Sequence, residues 1–314
     1  MSNTSANIVK KQKAKYKVSN WREYNQALKQ RGSITFWLDE QALSNWWHTQ
    51  PNGKRGRDYA YSDLAIQTFL MLQAIYGLSL RQTEGFLNSL FVLMGVELKS
   101  PDYSSVSKRA KQVGIKLPKP NGSVAHLVLD ATGLKVYGEG EWKVRKHGKE
   151  KRRTWRKLHL GVDATSQHIL CAEMSLENVG DNQVLPLMLK QLRRKIGKVS
   201  GDGAYDTKAC YQEVQRKGGQ ANFPPRSNAG LWKEGHPRNE AVKALQAGKL
   251  KEWKRDTGYH KRSLAETAMW RYKSLTGDKL RLRDYNAQVG ESMARVAVLN
   301  KMTSLGMPVS EMIR

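Results

Sequence analysis

From Tyr61 to Val113 apolar residues recur at helical spacing. In SDLAIQTFLMLQAIYG, Leu64, Ile66, Phe69, Leu70, Leu72 and Ile75 make one broad apolar face, and Gly77 suits the helix end. Ser79 and Gln82 in LSLRQTEGFLNSLFVLMG fit a capping box, which predicts a second helix start. A third, short helix is predicted in SPDYSSVSKRAKQVG, after Pro101, with Asp102 or Ser104 as its cap. This last helix is basic and rich in serine. It fits the second helix of a helix-turn-helix presenting Ser104, Ser105, Lys108, Arg109 and Lys111 to a nucleic-acid groove. A helical bundle with a charged outer face fits the same pattern equally well.

The stretch GIKLPKPNGS, with two prolines and two glycines, reads as a linker, and beyond it the period turns strand-like. AHLVLDATGLKVY is an apolar run ending in an acid, and RKLHLGVDATSQHILCAEMSLE is two strands around a polar turn. An amphipathic helix in GDNQVLPLMLKQLRRKIG, a strand in KVSGDGAYDT, a helix in TKACYQEVQRKGG, a strand in QANFPPRS and a long helix follow. Three strands followed by alternating helices and strands predict an α/β fold with a sheet of mixed direction. The expected organisation is a basic flexible arm at 1–20, an all-α helical domain at 21–118, the α/β domain at 119–285 and a helical tail at 286–314.

Composition narrows the partner. The 314 residues include 54 Lys and Arg against 28 Asp and Glu, a net charge of +26 spread along the chain, which favours a polyanion. Nucleic acid is expected and a membrane is not, since no apolar run approaches the length needed to span one and the start lacks a signal-peptide core. The two cysteines, Cys171 and Cys210, form no CxxC, so neither a zinc site nor a disulfide framework is expected, and a reducing cytoplasm fits.

Against this basic background three acids stand out. Asp130 ends the first strand run and Asp202 ends the strand after the first helix of the α/β region. Those strands can lie side by side and parallel, which would bring both carboxylates to one sheet edge. Glu266, on the long helix in GYHKRSLAETAMWRYKSLTGD, could supply a third. Three carboxylates together repel unless a cation binds among them, and hard oxygen donors suit Mg2+ or Mn2+, with two ions fitting in-line attack at phosphorus. Each acid also has a structural reading: Asp130 as a turn residue with Thr132, Asp202 as a turn between glycines, Glu266 as the capping-box partner of Ser263. If the helix reaches back to Tyr259, then Tyr259, Arg262, Glu266 and Lys273 share one face instead. The second DAT, at Asp163, falls at an expected hairpin turn and is assigned to structure.

The spacing Tyr259, Arg262, Glu266, Lys273 resembles the Y-R-E-K signature of bacterial insertion-sequence transposases of numbered families four and five. LVLDATGLKV and GDGAYDT resemble that group's two aspartate blocks, and WRKLHLGVD the segment between. The resemblance spans about residues 50 to 300. It implies an RNase H-like core preceded by an N-terminal DNA-binding domain, with Asp130, Asp202 and Glu266 holding divalent metal. It also implies that Tyr259, Arg262 and Lys273 contact the strand near the cut. The implied activity is cleavage at terminal inverted repeats and transfer of the freed end into target DNA, by a homodimer or larger oligomer in the bacterial cytoplasm, at the nucleoid. Some relatives stack a flipped base on a tryptophan in an insertion before the Glu; with only 63 residues between Asp202 and Glu266 here, Trp232 and Trp253 are the stacking candidates, or else core aromatics. A nuclease or resolvase without strand transfer, and an inactive DNA-binding regulator, are the alternatives.

Overall fold

The computed structural model describes residues 15–50, 56, 58–120, 122–136 and 155–313. Most of the basic arm expected at 1–20 lies outside them. Its end forms β1 (Lys15–Val18), which pairs antiparallel with β8 (Ser310–Ile313), so the two ends of the described chain form a two-stranded ribbon.

The N-terminal half is helical: α1 (Trp21–Gln30), α2 (Ile34–Trp37), α3 (Glu40–Ser44), α4 (Asp63–Tyr76), α5 (Leu80–Met94) and α6 (Tyr103–Arg109). Local chemistry sets the boundaries. Asp39 and Ser62 cap α3 and α4 by accepting from Ala42 and Ala65 amides, the Ser79–Gln82 capping box starts α5, and Asp102 caps α6. Gly77 ends α4 in the left-handed region at φ 66°, which a residue with a Cβ adopts only with strain. Trp37, Trp46, Phe69 and Phe91 fill this core.

Residues 113–120 carry no helix or strand, and the sheet follows. It comprises β2 (Val124–Val136), β3 (Trp155–Asp163), β4 (Ile169–Leu176), β5 (Ile196–Ser200), β6 (Gln220–Asn222) and β7 (Lys279–Leu280). The spatial order is β4-β3-β2-β5-β6, with β7 beside the end of β2. β2, β3 and β4 form an antiparallel meander, and β5 and β6 run parallel to β2. The sheet is therefore mixed in direction, as the order of elements predicts. α7 (Asp181–Gln191) and α8 (Lys208–Arg216) cover one face around Leu127, Leu129, Val199 and Phe223. α9 (Arg238–Gln246) and α10 (Leu250–Asp256) follow, and α11 (Ser263–Thr276) packs on the other face through Ala265, Ala268, Met269 and Tyr272.

The stretch expected as a helical tail is a core element. α12 (Tyr285–Ser304) gives Ala287, Ala294 and Val298 to the N-terminal core and Val296 and Leu299 to the sheet core. Most of its residues are buried, polar ones included, because a helix between two cores has little solvent side. Glu291 and Arg295, almost fully buried, pair on α12, and the Glu291 carboxylate also accepts from the Arg281 and Leu282 amides. A buried charge pair persists only with such satisfaction.

Candidate active site

β2 and β5 pair with Leu127 opposite Val199 and Val128 opposite Ser200. Continued by two residues, this register sets Asp130 level with Asp202, where β5 has ended and the two carboxylates reach one sheet edge. Asp202 starts a 3₁₀ turn (Gly203–Tyr205), its carboxylate accepting from the Ala204 amide at 2.9 Å. Gly201 precedes it with no room for a side chain, since a Cβ there would lie 2.5 Å from the Tyr205 ring. The tight turn thus needs the glycine for close approach.

A 3₁₀ turn (Tyr259–Arg262) runs directly into α11, so helical structure reaches back to Tyr259. The capping-box reading of Ser263 and Glu266 fails: the Ser263 hydroxyl donates to the His260 carbonyl, and Glu266 pairs with Arg262 one turn earlier. Arg262 also reaches Asp130, with Nη1 3.6 Å from Oδ1. One guanidinium therefore sits between two of the three predicted acids. Tyr259 lies beside it, 6.0 Å from ring centroid to guanidinium carbon, and the Trp253 and Tyr259 ring centroids are 6.3 Å apart. Lys273 is half-buried two turns along α11 from Glu266.

Electrostatics ties the acids together. Burial pushes the Asp130 carboxyl above its ordinary pKa; the Ala131 amide and the Arg262 cation pull it down, and Glu266 and Asp202 push it up. Tyr259 is raised by burial and lies within the fields of Arg262, Asp202 and Glu266. Asp130 is the sheltered member, its side chain 21% exposed against 51% for Glu266.

Among the described residues no three His, Cys, Asp or Glu side chains converge closely enough to form a metal cage as they stand. Arg262 contacts Asp130 and Glu266, and the Asp202 carboxylate accepts from the Ala204 amide. The donor chemistry nevertheless fits a hard divalent cation, since all three are carboxylates and a positive group already lies between two of them.

Other predicted residues divide. α4 and α5 are joined by the three residues Gly77–Ser79 and bent by 106°, the geometry of a helix-turn-helix. The second helix of that pair is α5, not α6 as the sequence pattern indicated, because eight residues separate α5 from α6. On α6, Ser104 and Ser105 are exposed and bonded to Asp102, and Lys108 is exposed. Arg109 is corrected to a structural residue: it is 8% exposed, bonds Asp63 and the Tyr61 carbonyl, and stacks 3.7 Å from the Tyr59 ring centroid. Lys111 pairs with Asp284 at 3.0 Å. Trp232 packs on Tyr211 and His236 under Arg238, as a half-buried core aromatic does, whereas Trp253 borders the acidic edge through Tyr259.

Sequence reasoning missed Arg238, whose guanidinium forks onto Asp206 with side chains 5% and 2% exposed, behind the turn that carries Asp202. Asp206 closes the stretch GDGAYDT, and nothing local to it announces a partner 32 residues away. His126 was also missed; it shares a 2.8 Å hydrogen bond with Ser200 just below the acidic edge.

Two family models described as "Transposase DDE domain" match the chain, at residues 29–139 and 124–301. Among solved structures, a chain of the piggyBac transposase synaptic complex with hairpin DNA aligns with TM-score 0.41 and 10% identity, covering 88% of this chain and 73% of that one. A chain of the simian T-cell lymphotropic virus intasome in complex with PP2A regulatory subunit B56 gamma aligns with TM-score 0.25 and 13% identity, covering 63% and 64%. The longer family match alone spans more than half of the chain, over the whole sheet and α11. The chain belongs to the DDE transposase family, whose members are metal-dependent enzymes of DNA cleavage and transesterification.

Proposed function

We propose that Asp130, Asp202 and Glu266 are the catalytic, metal-holding carboxylates of an insertion-sequence transposase that binds terminal inverted repeats, cuts beside them and joins the freed ends to target DNA. The observation that carries this reading is the parallel β2–β5 register, which sets Asp130 level with Asp202 while Arg262 links Asp130 to Glu266.

Bound Mg2+ or Mn2+, as one ion or a pair, would stabilise the negative charge that builds on the attacking and leaving oxygens. The three carboxylates would hold the ion or ions at the sheet edge. Arg262 has a planar fork suited to a phosphate, Lys273 a point charge and Tyr259 a hydroxyl donor, so these three would orient the scissile strand. In cleavage, water attacks phosphorus and the 3′ oxygen leaves as a hydroxyl. In transfer that hydroxyl attacks a target phosphodiester, and the target's 3′ oxygen leaves. Bond count is conserved in the second step, so no energy source beyond DNA is needed. Trp253, beside Tyr259, is the better placed of the two tryptophans to stack an unpaired base. The reading extends to a homodimer or larger assembly, one active site for each element end, working on DNA in the bacterial cytoplasm.

The test uses oligonucleotide duplexes carrying the element's ends, with Mg2+ and a target plasmid. The native chain is expected to yield nicked and joined products, and Glu266→Gln to lose both by at least about 1,000-fold while still binding DNA. Full activity of that variant would overturn the triad. Cleavage by the native chain with no joined product would favour a nuclease.

A further inference from the structure

The strap between α11 and α12 has a pattern that the acidic edge does not use. From Lys279 to Arg283 the residues are alternately exposed and buried: Lys279, Arg281 and Arg283 face out, and Leu280 and Leu282 face in. The strap opens as strand β7 at Lys279–Leu280, and in extended chain alternate side chains lie about 7 Å apart on one side. That spacing is of the order separating successive phosphates along a DNA strand. The strap is held firmly: the buried Glu291 carboxylate takes the Arg281 and Leu282 amides, and Arg295 donates to the Lys279 carbonyl.

Opposite the strap stands the start of α5. The two walls enclose a groove of about 810 Å³, lined on the α5 side by Ser79, Arg81, Gln82 and Tyr103. Arg81 is pre-set there, its guanidinium carbon 4.3 Å from the Tyr103 ring centroid and its Nη2 donating to the Tyr103 hydroxyl. The positive end of the α5 dipole opens into the same space. Four cations thus line the groove against one acid, Asp278, which is already paired with Lys135 at 3.2 Å. Position adds a second, independent indication. β7 starts the strap and pairs with Lys135 and Val136 of β2, five residues beyond Asp130. Along a strand five residues span roughly 17 Å, so the strap begins within about that distance of Asp130.

We propose that the groove between α5 and the 279–283 strap binds the phosphodiester backbone of DNA flanking the reacting phosphate, with Arg81, Lys279 and Arg283 as the phosphate contacts. It rests on the reading of the acidic edge as a site of DNA cleavage. Arg281 is the supporting member, because its guanidinium also donates to the Leu78 carbonyl and braces the α4–α5 turn.

The experiment measures DNA affinity against salt for the native chain, for Arg81→Gln/Lys279→Gln/Arg283→Gln, and for a control with equal charge loss elsewhere, Lys29→Gln/Lys190→Gln/Lys243→Gln. Each phosphate contact contributes about 0.9 to the slope of log affinity on log salt. The groove variant is expected to lose about 2 to 3 from that slope, and hydroxyl-radical protection of the flanking backbone should vanish with it. The control should keep both. Arg81→Lys/Lys279→Arg/Arg283→Lys, which retains charge, should recover the slope and so separates contact loss from misfolding. A groove variant with the control's slope, or with flanking protection intact, would overturn the proposal. Such a result beside normal cutting and joining by the native chain leaves the catalytic reading standing, whereas a native chain that binds DNA but never cuts it overturns that reading and, with it, the groove's place beside a reacting phosphate.

Discussion

Arg262 Nη1 lies 3.6 Å from Asp130 Oδ1, and the same guanidinium holds Glu266. On the proposed assignment this tethered cation occupies ground that a divalent ion would contest, and it would have to turn toward a phosphate for the carboxylates to be free. Arg262→Gln should therefore bind Mn2+ more tightly than the native chain when no DNA is present. The same variant should cut roughly 100- to 1,000-fold more slowly, because a phosphate-orienting fork is gone. Mn2+ titration followed by electron paramagnetic resonance, together with single-turnover cleavage, checks the two halves. Unchanged Mn2+ affinity would show that the guanidinium does not compete.

Asp206 and Arg238 form a nearly dry pair behind the Asp202 turn. Removing one partner strands the other, so Asp206→Ala should cost about 3 to 5 kcal/mol in urea unfolding. Replacing both, as Asp206→Leu/Arg238→Met, should cost much less than the single change. A single variant no less stable than the double would contradict the pairing energetics.

His159 is fully buried, bonded to Ser175 at 2.8 Å, and its pKa is pushed down from 6.5 to about 4 by burial. The unfolded ring takes a proton below about 6.5 but the folded ring only below about 4, so the unfolded state binds more protons between them. Stability is then full above about pH 6.5 and falls as the pH drops through that window. His126, also lowered to about 4 by burial and by Lys261 and Lys198, adds in the same direction. Unfolding midpoints from pH 7.5 to 4.5 should decline, and His159→Gln should flatten the decline by about 1 to 3 kcal/mol.

Gly290 sits where α12 crosses the end of α6, and a Cβ there would fall 2.1 Å from the Ala110 carbonyl oxygen. Alanine ordinarily favours a helix over glycine by about 1 kcal/mol. Here the clash should reverse that sign, and Gly290→Ala should lower stability by roughly 2 kcal/mol or more. A raised melting temperature would refute the close crossing.

Much of this was readable in the chain because it is locally encoded. Gly77, the Ser79–Gln82 box and the Asp102 cap act within one turn of themselves. Asp163 closes the β3–β4 turn by accepting from Thr165 and Ser166. The order of strands and helices predicted the neighbouring parallel strands that align Asp130 with Asp202. What escaped was set by distance along the chain. Arg109 looked like a surface cation on a basic helix, and only the fold supplies Asp63 and the Tyr59 ring. The Ser263–Glu266 spacing fits a capping box, but Arg262 offers the carboxylate a full charge where the cap offers one amide. The depth of α12 was hidden because its polar residues are satisfied inside, as in Glu291 with Arg295 and Asn300 with the Ile169 backbone.

The place of α12 in both cores bears on how the protein is made. The helices before residue 113 wait for apolar partners on α12, which begins at Tyr285. At roughly 5 to 20 residues per second of synthesis, that wait lasts about 10 to 35 seconds. During it the nascent chain carries an unfinished helical core, open to chaperones and proteases. A message broken upstream of α12 yields a product whose helical core lacks Ala287, Ala294 and Val298, leaving apolar surface that the complete chain covers.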